Sequence, residues 1–190
     1  MTTVTDEIKW TATGLVEKFD EDQTAAAIER TGLARPSAAD FAALGMAPRE
    51  VLEGGPNLIT TNGLNRVMNL LIGSGQAATN TSARIRVGNS TTAAAVGQTD
   101  LQASAGSSNR YFQVMDATFP SVSGAVATFK ATFGTSDGNF AWEEWCVDIG
   151  TPTVSAGTTV NALMLNRKVQ SFGTKASGAS WVLTVTCTLS

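Results

Sequence analysis

Apolar and polar residues alternate along the final segment of the chain, and this pattern constrains the fold more than any other. In "WVLTVTCTL", one face carries an apolar residue at every second position from Trp181 to Leu189, and the other carries mainly threonine. Successive side chains of a strand point to opposite faces of a sheet. The run therefore predicts a β-strand with one buried face, and "FKATF" at 129–133 has the same period.

Further runs with strand-like composition follow residue 83, and turn-forming residues separate them. The predicted strands are 83–87, 110–118, 124–133, 139–149, 160–172 and 180–189, with turns at "PSVSG", "GTSDGN", "GTPTVSAG" and "GTKASGA". Short spacings without intervening helices are typical of antiparallel sheets. The fold class that we predict is mainly β, an antiparallel β-sandwich or flattened barrel.

One strongly amphipathic helix precedes these strands. In "NLITTNGLNRVMNLLIGSG", apolar residues from Leu64 to Ile72 recur with helical spacing, and Thr60 or Thr61 can serve as the N-cap. We expect a helix at about 60–72 that packs its apolar side on one face of the sheet.

The first 55 residues are predicted to form an N-terminal arm. "EIKWTATGLVEKF", in which Ile8, Trp10 and Ala12 alternate with polar residues, indicates a strand. "DEDQTAAAIERTG", "PSAADFAALG" and "APREVLE" indicate short helices, the second with a capping box of Ser37 and Asp40. Gly54-Gly55-Pro56 marks the boundary, which divides the chain into an arm at 1–55 and a β-sandwich body at 56–190.

Charge is distributed unevenly between these parts. Residues 1–56 contain ten acidic and five basic residues, whereas residues 57–190 contain six acidic and eight basic ones. An acidic arm beside a mildly basic body is suited to docking within or between subunits, and a solvated acidic face is the alternative. The net charge of −3 does not favour binding to the phosphates of nucleic acid, so we do not expect nucleic acid as a partner.

The residues favour a protein that is not an enzyme. Histidine, the commonest general base and metal ligand, does not occur in the chain. Gly88 and Gly97 are not followed by the Lys of a phosphate-binding loop. Glu143 and Glu144 are predicted to point to opposite faces, one to solvent and one toward an arginine (Arg84, Arg86 or Arg167). We therefore identify no catalytic, cofactor-binding or metal-binding residue.

Two cysteines and several tryptophans are predicted to be structural. Cys146 and Cys187 lack the spacing of a zinc site, and two buried thiols are favoured over a disulfide. Trp142 and Trp145 lie within a predicted strand, which favours burial over an exposed sugar-binding platform. Neither an apolar signal segment nor an apolar run long enough to span a membrane is evident, so we expect synthesis in the cytoplasm and no membrane partner.

The stretch "ARIRVGNSTTAAAVGQTDLQAS" at 83–104 contains a long loop of small, uncharged residues. Such side chains lose little conformational entropy when they become ordered. We expect this loop to lie flat against a neighbouring subunit, with Asp100 as the N-cap of a short turn.

Taken in order, these segments resemble a family of small structural proteins from the virion gene clusters of tailed bacteriophages. The resemblance covers residues 56–190 and is carried by "VGNSTTAA…QTDLQA", "FAWEEW" and the terminal "LNRKV…GTK…W". It implies a virion component made in the bacterial host cytoplasm. The possible positions are the capsid surface, the collar, the end of the tail tube and the fibre base.

We therefore predict a non-enzymatic virion protein, with capsid decoration or cementing favoured because the chain is small and has no fibre-like repeat. Its expected partners are further copies of itself and other virion proteins, such as the major capsid protein or a tail protein. A tail, collar or fibre-base component is the alternative. A further alternative is a module that binds glycans on the host surface.

Overall fold

The computed structural model describes residues 9–150, 153–155, 158–160 and 163–190. The first half of the described chain contains three helices among its strands. These elements are β1 (Trp10–Phe19), α1 (Glu21–Thr31), α2 (Ala38–Ala43), β2 (Glu50–Gly54), β3 (Leu58–Ile59), α3 (Thr61–Leu71) and β4 (Ala83–Gly88). Only strands follow within the described residues. They are β5 (Arg110–Val114), β6 (Ser121–Ser123), β7 (Val126–Phe133), β8 (Ala141–Ile149), β9 (Thr153–Ser155), β10 (Thr158–Val160), β11 (Asn166–Thr174) and β12 (Ser180–Leu189).

The strands form two five-stranded antiparallel sheets and one small hairpin. The first sheet has the order β2-β1-β12-β7-β6, the second has the order β3-β11-β8-β4-β5, and β9 pairs with β10. Side chains from the inner faces of the two sheets make one continuous hydrophobic core. The mainly β, antiparallel sandwich is therefore confirmed.

Aromatic side chains fill the space between the sheets. The Trp142 ring packs edge-on against Phe133 and Trp181, with ring centroids 4.7 and 4.9 Å apart. Trp142 and Trp145 are completely buried, as the strand pattern predicted. A Cβ atom on Gly14 would lie 2.7 Å from the Trp145 ring, so the close approach of β1 to this ring requires glycine.

The described part of the predicted arm is built into the sandwich. β1 pairs with β12 from Trp10 to Phe19, and β2 pairs with the other edge of β1. Helices α1 and α2 cover part of the outer face of the first sheet, where the Phe19 and Phe41 rings stack at 3.8 Å. Ile8 lies outside the described residues.

The predicted capping box in this region is confirmed, but one predicted helix is wrong. Asp20 caps α1, and Ser37 with Asp40 forms the predicted capping box of α2. The run "APREVLE" does not form a helix, because Glu50–Gly54 is strand β2. Pairing with the free edge of β1 supplies hydrogen bonds that override the local helical tendency.

Several strand boundaries also differ from the predictions. The strand expected at 110–118 ends at Val114, because the chain then turns toward the other sheet, where the Asp116 backbone N–H donates to the Lys130 carbonyl of β7 at 2.8 Å. β6 lies within the predicted turn "PSVSG" and forms a hairpin with β7. The run predicted at 160–172 includes the end of β10 and residues outside the described part, and β11 begins at Asn166.

Candidate functional site

The loop that follows β4 crosses the outer face of the second sheet of its own subunit. We call residues 89–104 the strap. Arg167, which is fully buried on β11, donates from Nη1 to the Gln98 side chain at 2.9 Å and from Nη2 to the Thr92 carbonyl at 2.8 Å. The strap is therefore held by charged groups beneath it, an arrangement that its bland composition did not predict.

Glu144 holds the far end of the strap. Its carboxylate accepts the backbone N–H groups of Gln102 at 3.1 Å and Ala103 at 2.7 Å, and pairs with Arg167 at 2.6 Å. Glu143 is partly exposed and accepts from Ser171 at 3.0 Å. The prediction that one of these two carboxylates pairs with an arginine is thus confirmed, and the arginine is Arg167.

Asp100 bridges two arginines instead of capping a turn. Its carboxylate accepts from Arg86 at 2.6 Å and from Arg110 at 2.7 Å, and it also accepts the N–H of Leu101 at 2.8 Å. The predicted capping role is wrong because the N–H groups of Gln102 and Ala103, which an N-cap at Asp100 would accept, donate to Glu144 instead. Arg110 donates further to the carbonyls of Leu101, Ala103 and Ser104, which fixes the path of the strap.

Asp148 lies in the same charged layer without hydrogen-bond partners. It is fully buried, and among the described residues neither carboxylate oxygen accepts a hydrogen bond. Arg86 Nε lies 3.4 Å away, and Arg84 Nη1 lies 3.8 Å away. Burial raises the pKa of Asp148 to about 7, although both arginines oppose this shift.

The sequence pattern contained a signal for this charged layer. Antiparallel pairing places Arg84 opposite Asp148 and Arg86 opposite Cys146, so charged side chains of β4 and β8 share one face. Alternation alone indicates a solvent-exposed face at these positions. The folded strap, which bonds to Arg86, Glu144 and Arg167, covers part of this layer, and alternation cannot reveal that cover.

Helix α3 lies where the sequence predicted it, but most of its apolar side faces solvent. Leu64, Met68, Leu71 and Ile72 are 52%, 61%, 77% and 77% exposed, whereas Val67 is half-buried. We call these four exposed residues the α3 stripe. The expected packing on a sheet face fails because the outer face of the second sheet carries the charged layer and is covered by the strap.

The strap and α3 form neighbouring parts of one surface. The N–H of Thr61, at the start of α3, donates to the Val96 carbonyl at 2.8 Å, and the Val96 side chain is exposed. Residues 60–72 and 89–104 contain only two charged residues, Arg66 and Asp100, and Asp100 is used in ion pairs beneath the surface. The outer side of this region therefore presents small and apolar groups almost without charge.

The acidic residues in the described part of the N-terminal segment lie on the other sheet. Glu21 and Asp22 begin α1, which covers the first sheet, and Glu50 of β2 pairs with Lys18 at 2.6 Å. Half of the eight basic residues of 57–190 are buried: Arg86, Arg110, Arg167 and Lys175. The described part of the acidic segment is therefore held by strand pairing and apolar packing, and its docking on a second subunit stays a prediction.

An open groove lies between α2 and residues 115–119. Its volume is about 700 Å³, and its lining includes Arg35, Asp116, Phe119 and Lys130. The buried Asp116 carboxylate already accepts from the N–H and hydroxyl of Thr132 at 3.0 and 2.8 Å. Burial raises the pKa of Asp116, and these two bonds tie it to β7.

The cysteines and metal ligands can be located directly. Cys146 and Cys187 are free and buried, as predicted. In the described ranges, no group of three or more Cys, Asp or Glu side chains is placed to hold a metal ion. No helix in the described part of the chain is long and apolar enough to cross a membrane.

Comparison of the chain with models of known protein families, with curated proteins and with solved structures finds no match.

Proposed function

We propose that this chain is a non-enzymatic structural protein of a tailed-phage virion, and that it decorates or cements the capsid by binding neighbouring subunits. The observation that carries the proposal is the continuous uncharged surface formed by the strap and the α3 stripe. The resemblance of residues 56–190 to small phage virion proteins supplies the biological setting.

The physical chemistry of this surface suits assembly. The strap is held in place by Arg167, Glu144 and Asp100, so little conformational entropy remains to be lost when it meets a partner. Contiguous exposed apolar side chains on a folded chain mark interaction sites. The small side chains of the strap would allow the backbone of a partner to approach closely. The α3 stripe would bury its apolar side chains against that partner.

Immunogold labelling of intact particles tests the proposal. Particles made with an epitope-tagged version of this chain should carry label on the head if it decorates the capsid. Label on the tail, collar or fibre base would move the protein to the alternative position with the same fold. Particles without label would overturn the proposal.

A matched pair of variants tests the role of the surface. Val96→Asp places a charge on the strap, whereas Val122→Asp places the same charge on β6 of the other sheet. Both valines are exposed, at 57% and 76%, so neither change should unfold the protein. Val96→Asp should strongly reduce incorporation into particles, and Val122→Asp should not. Equal incorporation of the two variants would contradict a role for the strap.

Deletion of residues 89–97 would test the role of the strap less cleanly than the two valine variants. The strap covers Arg167, which is fully buried and donates to the Thr92 carbonyl. Removal of this segment would expose the charged layer and disturb the fold. A loss of assembly would then report instability as well as a missing contact.

The glycan-binding alternative gains no support from the tryptophans that suggested it. Trp142 and Trp145 are completely buried between the sheets, so neither ring is available to stack on a sugar. Substitution of either residue would create a large cavity and would not test binding.

A further inference from the structure

The orientation of α3 leaves an apolar stripe without a partner inside the described chain. Leu64, Met68 and Leu71 follow i, i+4, i+7 spacing, which places them on one side of the helix. Ile72 extends this side at the C-cap. The inward side of α3 instead carries Gly63 and the half-buried Val67.

The fold fixes this orientation. A Cβ atom on Gly63 would lie only 2.0 Å from the Leu165 carbonyl oxygen, so the first turn of α3 is pressed against the chain just before β11. The Thr60 hydroxyl donates to the Met164 carbonyl at 2.6 Å, which holds the same end. Rotating the helix to bury its stripe would require both contacts to break.

The chemistry of the helix indicates what kind of partner fits. Helices that lie on membrane surfaces carry several Lys or Arg on their polar side. The polar side of α3 carries Asn62, Asn65 and Asn69 with a single cation, Arg66, so it lacks that feature. The stripe itself carries no charge, and it therefore suits an apolar protein surface.

A second copy of the same chain satisfies this requirement. A two-fold contact brings a surface against itself, so a charged patch would repel its own copy, whereas the uncharged α3 stripe does not. The stripe with Val96 offers roughly 500 Å² of apolar area on each copy, typical of a functional patch. Two such patches would bury about 1,000 Å² in total, which is the lower limit for a biological interface and suits a weak, reversible dimer.

We propose that the α3 stripe docks on the α3 stripe of a second copy, so that the chain forms a two-fold dimer through this helix. The inference rests on the proposed function, in which copies of the chain assemble with one another, and it names the surface and the partner. Leu71 and Ile72, the most exposed residues of the stripe, would bury the largest apolar area in the contact.

Cysteine cross-linking tests the geometry directly. Because Cys146 and Cys187 are buried, the described part of the native chain offers no exposed thiol. Met68→Cys places one thiol on the stripe, and Val122→Cys places one on β6 as the control. Under mild oxidation, Met68→Cys should form a covalent dimer at micromolar protein, and Val122→Cys should remain monomeric. No dimer from Met68→Cys, or equal dimer from both, would overturn the proposal.

Light scattering coupled to size-exclusion chromatography measures the equilibrium between monomer and dimer. The average mass of the native chain should rise from monomer toward dimer as its concentration increases. The double variant Leu71→Ser/Ile72→Ser should raise the dissociation constant of the dimer about 100-fold. Both side chains are 77% exposed, and circular dichroism should confirm an unchanged fold. A native chain that stays monomeric at hundreds of micromolar overturns the dimer. If that monomer still labels virions, the proposed function stands and only this inference fails.

Discussion

Arg167 and Glu144 form an ion pair at 2.6 Å in which neither side chain has any solvent exposure. The pair joins β11 to β8, and both members also hold the strap through hydrogen bonds. A buried ion pair adds little net stability relative to apolar residues, but the loss of one member is costly. The neutral surface of the protein therefore depends on charged residues directly beneath it.

Glu144→Gln should destabilise the protein strongly. The substitution leaves the Arg167 guanidinium buried without its carboxylate, which costs about 3–5 kcal/mol in comparable buried pairs. Urea denaturation followed by tryptophan fluorescence measures the free energy of unfolding. Glu143→Gln is the matched control, since Glu143 is partly exposed, and we expect a change below about 0.5 kcal/mol. Similar losses in the two variants would show that the buried pair has no special role.

Asp148 should make stability depend on pH between about 4 and 7. Its pKa is about 7 in the folded protein, against 3.8 for the ordinary carboxyl, so folding favours the protonated form. The stabilisation that comes from keeping the Asp148 carboxyl protonated is fully present at pH values below its pKa in the unfolded chain. It is lost as the pH rises through the folded pKa of about 7. Asp148→Asn should therefore unfold at higher urea concentration than the native protein at pH 8, with the difference disappearing near pH 4.

The neighbouring titrations do not obscure this test. Burial lowers the pKa of Lys175 to about 8 from 10.5, so the pH dependence from Lys175 lies mainly above pH 8. Asp116 also has a raised pKa, but it is present in both proteins and cancels in the comparison. Parallel stability curves for the native protein and Asp148→Asn from pH 4 to 8 would contradict the assignment.

Gly14→Ala should disturb the packing of the two sheets. The new methyl group would lie 2.7 Å from the Trp145 ring, which is fully buried and has no room to move. Overpacking of this kind costs about 1–3 kcal/mol, measured as a fall in thermal midpoint. Gly97→Ala is the control, because nothing lies within 4 Å of a Cβ atom there. If Gly14→Ala left the thermal midpoint unchanged, the two sheets would separate easily at this point.

Asp100→Ala should loosen the strap and also lower the free energy of unfolding, because it leaves Arg86 and Arg110 buried with one carboxylate fewer. The change removes the carboxylate that joins Arg86 and Arg110 to the strap. Hydrogen exchange at residues 91–101 should become faster, by about tenfold or more, while β12 remains protected. Asp22→Ala on α1, at the other sheet, should leave exchange in the strap unchanged. Unchanged exchange in Asp100→Ala would mean that Arg167 and Glu144 hold the strap by themselves.

Features that depend on neighbouring residues could be predicted from the sequence. The alternation in β12, the capping box of Ser37 and Asp40 and the position of α3 follow from strand period, side-chain capping and helix period. These properties are local, so each can be deduced from a short stretch.

The candidate site could be predicted only in part. The small residues of the strap and an ion pair between an arginine and either Glu143 or Glu144 were predicted, but the roles of Asp100 and Arg110 were missed. Charged residues in alternating positions indicate solvent, and nothing local reveals that a distant loop will cover them. Strand β2 was missed for a related reason, because its paired residues on β1 lie 32 to 40 positions earlier in the chain.

The sequence by itself determined that this chain is mainly β, with antiparallel strands and few charged residues, because side-chain period and turn chemistry act over a few residues; it left a sandwich and a flattened barrel open. Only the tertiary structure decided that the strap lies on its own subunit and that the α3 stripe faces outward. Both depend on contacts between residues far apart in the chain, Arg167 with Thr92 and Gly63 with Leu165, whose packing no local pattern records.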